Sequence, residues 1–361
     1  MKIIKKYVLR AFMAPFFKGL AALMLIMTVT HFFDFFHVFL GNRPQLVIVL
    51  EYFLNRLPEW LVLIMPVGTL LAVLFSLGSL SRHNELTAIK TSGFQLNYIL
   101  VPILIFSIAV SILSGILHET VVPKTNARAE ELFLVIRNRE PERADTDRRN
   151  FNYMGEGPRL YAIDHFSGKT ASGITIIEFF ENTTRENIIT YSEKAVYEGG
   201  RIWLLYSGTE RVFTYEGDMT SYKEFKNLRM PLPETPENFA KPELHPEQMD
   251  FFSLIAHIEK LERGGFQTRS ERVILHNKIA FPFSNTIILV LGIPLALWSG
   301  TRNRTTGFFM SLIICFIYWG AISVGSALGA RGVIPPVLGA WSANIIFLAL
   351  SLAMLKASRI S

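Results

Sequence analysis

Two ionisable residues inside an apolar stretch are the first candidates for chemistry in this sequence. His31 and Asp34 lie near the end of the run from Phe12 to Phe36. An ionisable side chain within a run of this length is a functional candidate because it is costly to place among lipid tails. Histidine is only partly charged near neutral pH. The two residues therefore either contact a ligand or form a local hydrogen-bonded pair at the end of the apolar run.

A second candidate is the loop of residues 78–94, between two further apolar runs. Ser81 can cap a short helix, on which Leu86 and Ile89 project at helical spacing beside Glu85. Gly93 is a natural terminator of such a helix. A short amphipathic helix here is suited to receiving force from a cytosolic ATPase, and the alternative is an ordinary interfacial loop.

Motifs for nucleotide binding or hydrolysis are absent from the sequence. It contains no G-x-x-x-x-G-K-[ST] loop, no H-E-x-x-H and no G-x-S-x-G. The one cysteine, Cys315, excludes an intramolecular disulfide, and no Cys/His cluster has metal-ligand spacing. A polytopic membrane enzyme would need a catalytic cluster in or beside its spans, and the sequence offers none.

Apolar runs dominate the elements that must position these residues. The chain has 361 residues, is 50% hydrophobic and 18% charged, with a mean hydropathy of +0.32. A membrane-spanning helix needs about 20 mostly apolar residues. Six stretches meet or approach that length: 12–36, 57–78, 98–118, 279–298, 307–326 and 336–355. They exclude a disordered chain, a simple cytosolic enzyme and a coiled coil. The alternative is that they are buried core helices of a large soluble protein.

The basic residues of the short loops predict the orientation of these spans. With the N-terminus taken as cytoplasmic, the opposite loops hold only Arg43, Arg56 and Arg331. The basic N-terminus could also begin a signal peptide, but the apolar run is long and lacks a small-x-small cleavage site. Both termini are therefore expected inside, where ten basic residues lie: Lys2, Lys5, Lys6, Arg10, Arg82, Lys90, Arg302, Arg304, Lys356 and Arg359.

A polar segment, residues 121–275, separates the third and fourth spans and is expected outside the cytoplasm. Glycine turns punctuate β-type runs such as 160–166, 173–180 and 201–206, which favours a sandwich or jelly roll. Residues 249–263 show helical spacing. Residues 121–276 hold 21 Lys/Arg and 25 Asp/Glu against a total net charge of +6. The segment is thus mildly acidic, and the membrane part is strongly basic.

The predicted fold class is an α-helical polytopic membrane protein with an inserted all-β, jelly-roll-like periplasmic domain. Residues 1–120 would hold spans one to three, with a coupling helix at about 81–92. Residues 121–275 would form the β-rich domain with its connecting helix at about 249–263. Residues 276–361 would hold spans four to six.

Several segments of the chain resemble one known family. The stretch Ser81-Arg-His-Asn-Glu-Leu-Thr-Ala-Ile-Lys-Thr-Ser-Gly93 is similar to the S-R-x-x-E-L-x-A-x-x-x-S-G stretch of lipopolysaccharide-export ABC transporter permeases. Residues 275–283, 292–296 and 332–341 resemble the ends of that family's fourth span and the start of its sixth. The run 232–239, with Asp34 and Ile334-Pro335-Pro336, favours the G-type paralogue over the F-type.

The resemblance implies a permease subunit that extracts lipopolysaccharide from the bacterial inner membrane and passes it to a periplasmic bridge. It implies a cytosolic ABC ATPase dimer, a paralogous six-span permease and a single-span bridge component as partners, and no nucleic acid. ATP and Mg²⁺ would be used by the ATPase, and this chain would bind no cofactor. The alternative is a mechanotransmitting permease that acts on a periplasmic partner without carrying lipid itself.

The resemblance also implies roles for individual residues. Glu85 would face a basic group of the ATPase, Leu86 and Ile89 would fill an apolar groove there, and Gly93 would end the helix. His31 stands where the family has a basic residue before Asp34. Further basic substrate contacts would be Arg43, Lys124 and Arg128. The lateral-gate candidates, for which packing within one bundle is the alternative, are Phe32, Phe35, Phe316, Ala321 and Gly325.

Overall fold

The computed structural model describes residues 2–137, 147–180, 183, 185–240, 245–263, 265–298 and 304–360. The chain divides into two compact units. One comprises Met1–Arg137 with Arg269–Ser361, and the other comprises Asn138–Thr268. Arg302, one of the residues that predict orientation, lies outside the described residues.

The first unit is helical. Its six long helices are apolar enough to cross a membrane, which confirms the six predicted spans. They are α1 (Lys2–Asp34), α3 (Leu46–Arg82), α5 (Leu96–Thr120), α9 (Arg269–Trp298), α10 (Arg304–Ala330) and α11 (Pro336–Ile360). Three shorter helices accompany them in the part of the unit that the structure describes: α2 (Phe36–Asn42), α4 (Glu85–Thr91) and α6 (Val122–Ile136).

Most of the spans extend past their apolar runs. α3 begins at Leu46, well before the predicted start at residue 57, and so takes in Glu51, Arg56 and Glu59. The polar residues are tolerated because they pair at the surface of the helix: Arg56 Nη1 lies 3.0 Å from Glu59 Oε2. Arg56 therefore belongs to a span and not to a loop.

Helix α3 is the centre of the first unit. It packs against α1, α5, α6, α9 and α10, and its residues from Ile64 to Leu74 are buried without a break. A helix that is apolar on all sides is one that is enclosed by others. Four of the other spans, α1, α5, α9 and α10, therefore pack around α3, and the segment that contains α4 follows directly from its end.

Close backbone approach and polar pairs join the outer spans. A Cβ built on Gly325 of α10 would collide with Ser342 and with the backbone of Gly339 on α11, so the two helices meet through a small-residue contact of the kind that is frequent in membranes. Ser111 of α5 and Thr286 of α9 share a hydrogen bond of 2.9 Å.

The second unit contains a six-stranded antiparallel sheet. Its strands are β1 (Asp147–Met154), β2 (Arg159–Ser167), β3 (Thr170–Phe179), β4 (Glu186–Gly199), β5 (Ile202–Phe213) and β6 (Met219–Pro231). With the six spans, this sheet confirms the fold class of a helical membrane protein with an inserted β domain. Two short helices follow the sheet, α7 (Pro236–Ala240) and α8 (Phe251–Arg263).

The strand order differs from the jelly roll that was expected. Among the described residues, the strands lie side by side in chain order in one sheet, whereas a jelly roll has two sheets joined by Greek-key crossings. The cause is local, since each turn is short enough to return the chain beside the strand it has just left. At the Gly199–Ile202 pair, for example, Gly200 and Arg201 alone connect β4 to β5.

An aromatic cluster closes the core of the second unit. Phe239 of α7 is fully buried, and its ring centroid lies 5.2–5.4 Å from those of Tyr153, Tyr161 and Trp203. Glu234 is buried with them, but its carboxylate accepts hydrogen bonds from the Tyr161 hydroxyl and from the Glu156 backbone N–H. Burying a carboxylate is tolerable when its oxygens are paired in this way.

The junction between the two units differs from the predicted boundary at residue 121. Residues Val122–Ile136 form α6, which packs on α3. Its buried positions, Ala129, Leu132 and Ile136, are spaced three and four residues apart, which is helical periodicity. The helical unit therefore continues to Arg137.

Candidate functional site

The segment between α3 and α5 contains a two-turn helix. α3 continues through Ser81, so Ser81 does not cap the short helix, and the chain turns at Asn84, whose φ of +56° is in the left-handed region. Asparagine is one of the few residues that adopt this conformation readily. α4 then runs from Glu85 to Thr91, and Gly93, with φ of +84°, follows its end. There the Phe94 N–H donates a hydrogen bond to the Ile89 carbonyl.

Leu86 faces the inside of its own subunit. Its side chain is 4% exposed and belongs to the membrane-unit core, and Ile89 packs against the same core. The resemblance implied that both fill a groove on the ATPase, but for Leu86 the structure contradicts this, because its burial leaves no surface for a partner. Among the α4 side chains that the structure describes, those of Thr87, Ala88 and Thr91 are exposed.

Glu85 is linked to the first span. The Tyr7 hydroxyl of α1 donates a hydrogen bond of 2.7 Å to Glu85 Oε2. Both residues line a groove of about 520 Å³ between α1, α3 and α10. The carboxylate is therefore held at the edge of this groove, where it is partly exposed.

His31 lies in an aromatic environment near the other end of α1. Its Nε2 shares a hydrogen bond of 2.6 Å with the hydroxyl of Tyr52 on α3. The rings of Trp60 and Phe35 lie at centroid distances of 5.0 and 4.9 Å. His31 thus uses Tyr52, and not Asp34, as its hydrogen-bond partner, which differs from the local His31–Asp34 pair considered from the sequence.

His31 and Asp34 nevertheless open onto one cavity. It has a volume of about 270 Å³ and a wall that is mainly apolar, with Thr30, His31 and Asp34 as its polar side. The other lining residues come from α1, α3 and α10: Leu23, Ile26, Met27, Trp60, Ile64, Val67, Leu312, Cys315 and Trp319. A pocket of this kind suits an apolar chain that carries a polar group at one end.

The three other basic candidates differ in how free their charge is. Arg43 and Lys124 are exposed, and Arg43 caps α2 with a φ of +44°. Arg128 contacts Glu51 at 2.8 and 2.9 Å and Glu131 at 3.1 Å. These carboxylates raise the pKa of Arg128 above its ordinary value. Its charge is thus compensated within the chain.

The lateral-gate candidates fall into two groups. Phe32 and Phe35 pack inside the chain in a cluster with Phe39 and Tyr52. Ala321 packs partly on the core. Gly325 lies against α11, so it packs within the helices of this chain, as the alternative to a gate had it. Phe316, in contrast, is 76% exposed on α10.

Three residues of these sites were not identified from the sequence: Tyr7, Tyr52 and Trp60. Tyr7 lies 78 residues from its partner Glu85, and no local pattern reports a pair so distant. Tyr52 falls in a stretch for which hydropathy predicts a loop, because Glu51 and Arg56 interrupt the apolar run. Within the described residues, no three His, Cys, Asp or Glu side chains form a group suited to a metal ion.

A comparison with protein families agrees with this architecture. The model of the family described as lipopolysaccharide export system permease LptF/LptG matches residues 6–357. The chain belongs to the LptF/LptG permease family. No curated protein matches it.

Membership of the LptF/LptG family gives the class of protein. The chain is a permease of the lipopolysaccharide export system, a multi-pass protein of the inner membrane with six candidate spans, and a transporter subunit rather than an enzyme. The family implies partnership with an ABC ATPase and with a paralogous permease.

Proposed function

We propose that this LptF/LptG chain uses ATP hydrolysis by a cytosolic ABC ATPase dimer to extract lipopolysaccharide from the inner membrane and pass it to a periplasmic bridge. The observation that carries the proposal is the cavity beside His31 and Asp34, formed by α1, α3 and α10. An apolar wall with one polar side suits an acyl chain whose headgroup stays at the membrane surface.

The proposed orientation has both termini in the cytoplasm and residues 138–268 in the periplasm. Its first support is the excess of basic residues in the loops assigned to the cytoplasm. Its second is that the start of α1 contacts α4 and the start of α5, since the Tyr7 hydroxyl donates to Glu85 and the Lys5 ammonium lies 4.3 Å from the ring centroid of Tyr98. The N-terminus and this loop are thus on one side of the membrane.

We further propose that the ATPase docks on α4, with Glu85 facing a basic group of the partner. The exposed Thr87, Ala88 and Thr91 would form the contact surface, and the buried Leu86 would fix α4 to the core, so that a displacement of α4 moves α3 with it. ATP and Mg²⁺ would be bound by the ATPase, because this sequence lacks a phosphate-binding loop.

The substrate contacts would be His31, Asp34 and the exposed Arg43 and Lys124. Arg128 would contribute less, because Glu51 and Glu131 already neutralise it. Phe316 would face the paralogous permease at the lateral gate, since this large apolar side chain is exposed.

The single-span bridge component would meet the second unit at a sheet edge. Among the described residues, β6 pairs with β5 and with no other strand, and an edge strand presents unpaired backbone groups to which another strand can add. The run Leu232–Phe239 and Ile334-Pro335-Pro336 favour the G-type paralogue. Restored growth in cells depleted of the G-type permease, and not in cells depleted of the F-type, would support that assignment.

Photo-crosslinking in vesicles tests the proposed function. A photoreactive residue at His31 in the reconstituted complex should crosslink to lipopolysaccharide, and the adduct should decrease when ATP drives release. The matched control is Leu350, which is exposed on α11. An equal adduct at both positions, or an ATP-independent adduct at His31, would contradict extraction through this cavity. ATP-dependent work on the bridge without an adduct at His31 would instead favour mechanotransmission.

A further inference from the structure

We propose that Tyr7 is a positioning residue for ATPase coupling, because its hydroxyl sets the direction in which Glu85 presents its carboxylate. The inference rests on the proposed function of α4. It adds a residue of the first span to a site that the sequence places wholly within residues 81–93.

The geometry of the Tyr7–Glu85 contact supports this role. The Tyr7 hydroxyl donates to Oε2 of Glu85 at 2.7 Å, which is a normal length for a strong hydrogen bond to a carboxylate. An ionised carboxylate has a second oxygen with its own lone pairs. Oε1 can therefore accept from a basic group of the partner while Oε2 is held by Tyr7.

The burial of Leu86 does not fix this direction. Leu86 anchors α4 in the core by apolar burial, and such burial is not directional. Rotation about the side-chain bonds of Glu85 would move its carboxylate without disturbing Leu86. A directional bond from a different helix removes that freedom before the partner binds, which is the basis of preorganisation.

The contact also links the loop to a second span. α4 packs on α3, but Tyr7 belongs to α1, the helix that carries His31 and Asp34 near its other end. The 24 residues from Tyr7 to His31 correspond to roughly 36 Å of helix. A force applied at Glu85 is thus delivered to the wall of the cavity as well as to α3.

The test compares Tyr7→Phe with Thr28→Val in the full complex. Both variants lose one hydroxyl of α1, but the Thr28 hydroxyl donates to the Met24 carbonyl of its own helix. We expect Tyr7→Phe to lower the lipid released per ATP hydrolysed about threefold, near the lower end of what one hydrogen bond contributes. The KM for ATP should stay unchanged. Thr28→Val should behave as the parent.

A second measurement tests the contact independently of transport. It is a double-mutant cycle on the affinity of the isolated ATPase dimer for the permease, with Tyr7→Phe, Glu85→Gln and both changes together. Tyr7→Phe should weaken binding in the parent and have no further effect in the Glu85→Gln background. Additive losses, or an unchanged affinity in Tyr7→Phe, would overturn the link, and weaker binding with unchanged lipid release would overturn the coupling role. Failure of the parent complex to release lipid with ATP would overturn the proposed function instead, while the affinity measurement would still test Tyr7.

Discussion

Removing the charge of one partner or the other in the ion pair between α5 and α9 should destabilise the protein to different extents. Lys278 Nζ lies 3.2 Å from Glu119 Oε1, and the two side chains are 4% and 26% exposed. Glu119→Gln leaves an enclosed ammonium without its counter-charge. Lys278→Met leaves a carboxylate that still reaches the surface and contacts His118 Nδ1 at 3.2 Å. We therefore expect Glu119→Gln to destabilise the protein more than Lys278→Met does.

The magnitude follows from the distance and the burial. At 3.2 Å, the Coulomb attraction is roughly 5 kcal/mol with an effective dielectric constant of about 20. Removing one partner of a buried pair costs about 3–5 kcal/mol, so Glu119→Gln should fall in that range. Lys278→Met should cost about 1–2 kcal/mol, because the remaining carboxylate is partly exposed. The double variant should be more stable than Glu119→Gln alone, because no charge is left unpaired.

Thermal unfolding can be followed through the one cysteine of the chain. Cys315 is 1% exposed, so a dye that fluoresces on reaction with a thiol reports the opening of the helical unit. At roughly 2–4 °C per kcal/mol for about 230 residues, Glu119→Gln should lower Tm by about 10 °C. Lys278→Met should lower it by about 4 °C. The control is Lys124→Met, an exposed lysine on α6.

Three outcomes would refute this reasoning. Equal Tm losses for Glu119→Gln and Lys278→Met would mean that burial does not distinguish the two charges. A double variant whose loss equals the sum of the single losses would mean that the two side chains do not interact. A loss as large in Lys124→Met would mean that any removed cation has this effect.

Three further predictions concern single side chains. Phe239→Ala should destabilise the second unit by about 3–5 kcal/mol because it empties a fully buried aromatic site. The destabilisation should appear as faster proteolysis between β1 and β6, and cleavage as slow as in the parent would contradict it. Burial and the nearby Glu234 carboxylate raise the pKa of Tyr161 far above 10. The native unit therefore keeps a proton that the unfolded chain releases, so its stability is intact below about pH 10 and falls as pH rises further. A Tyr161→Phe variant should lack that alkaline loss of stability. An identical pH profile in the variant and the parent would count against the assignment. Gly332→Ala should lower Tm in the cysteine assay, because Gly332 has φ of +75° and the Arg269 side chain occupies the position of a Cβ. Gly320→Ala, with open space around it, should not, and matching losses would show that backbone strain is not the cause.

The spans were predictable because lipid imposes a simple requirement on them. Backbone groups in a bilayer must bond within their own helix, so long apolar runs become helices, as in α5 and α11. The same criterion missed α6, whose polar exposed face makes it too hydrophilic for a span. It also placed the start of α3 too late, because surface pairs such as Arg56–Glu59 hide helical continuity from a hydropathy reading.

The strands were predictable only where alternating apolar residues mark a buried face. β2 and β3 have buried alternate positions and were identified. β1 and β6 were missed because their sequences are polar, and β6 has no buried residue. In the candidate site, His31 and Asp34 are predictable because they lie in an apolar run, and Glu85 is predictable because it lies in a short amphipathic segment between two such runs. The contacts to Tyr7 and Tyr52 depend on tertiary packing, which no local pattern encodes.

The order of the strands determines how the second unit can form as the chain is made. Because every strand pairs with its neighbour in sequence, each hairpin can close as soon as its second strand emerges, and such local contacts form quickly. The core, however, needs Phe239, which follows Tyr153 of β1 and Tyr161 of β2 by 86 and 78 residues and packs against both. The sheet would therefore assemble strand by strand, and its hydrophobic core would stay incomplete until α7 is synthesised, shortly before the fourth span.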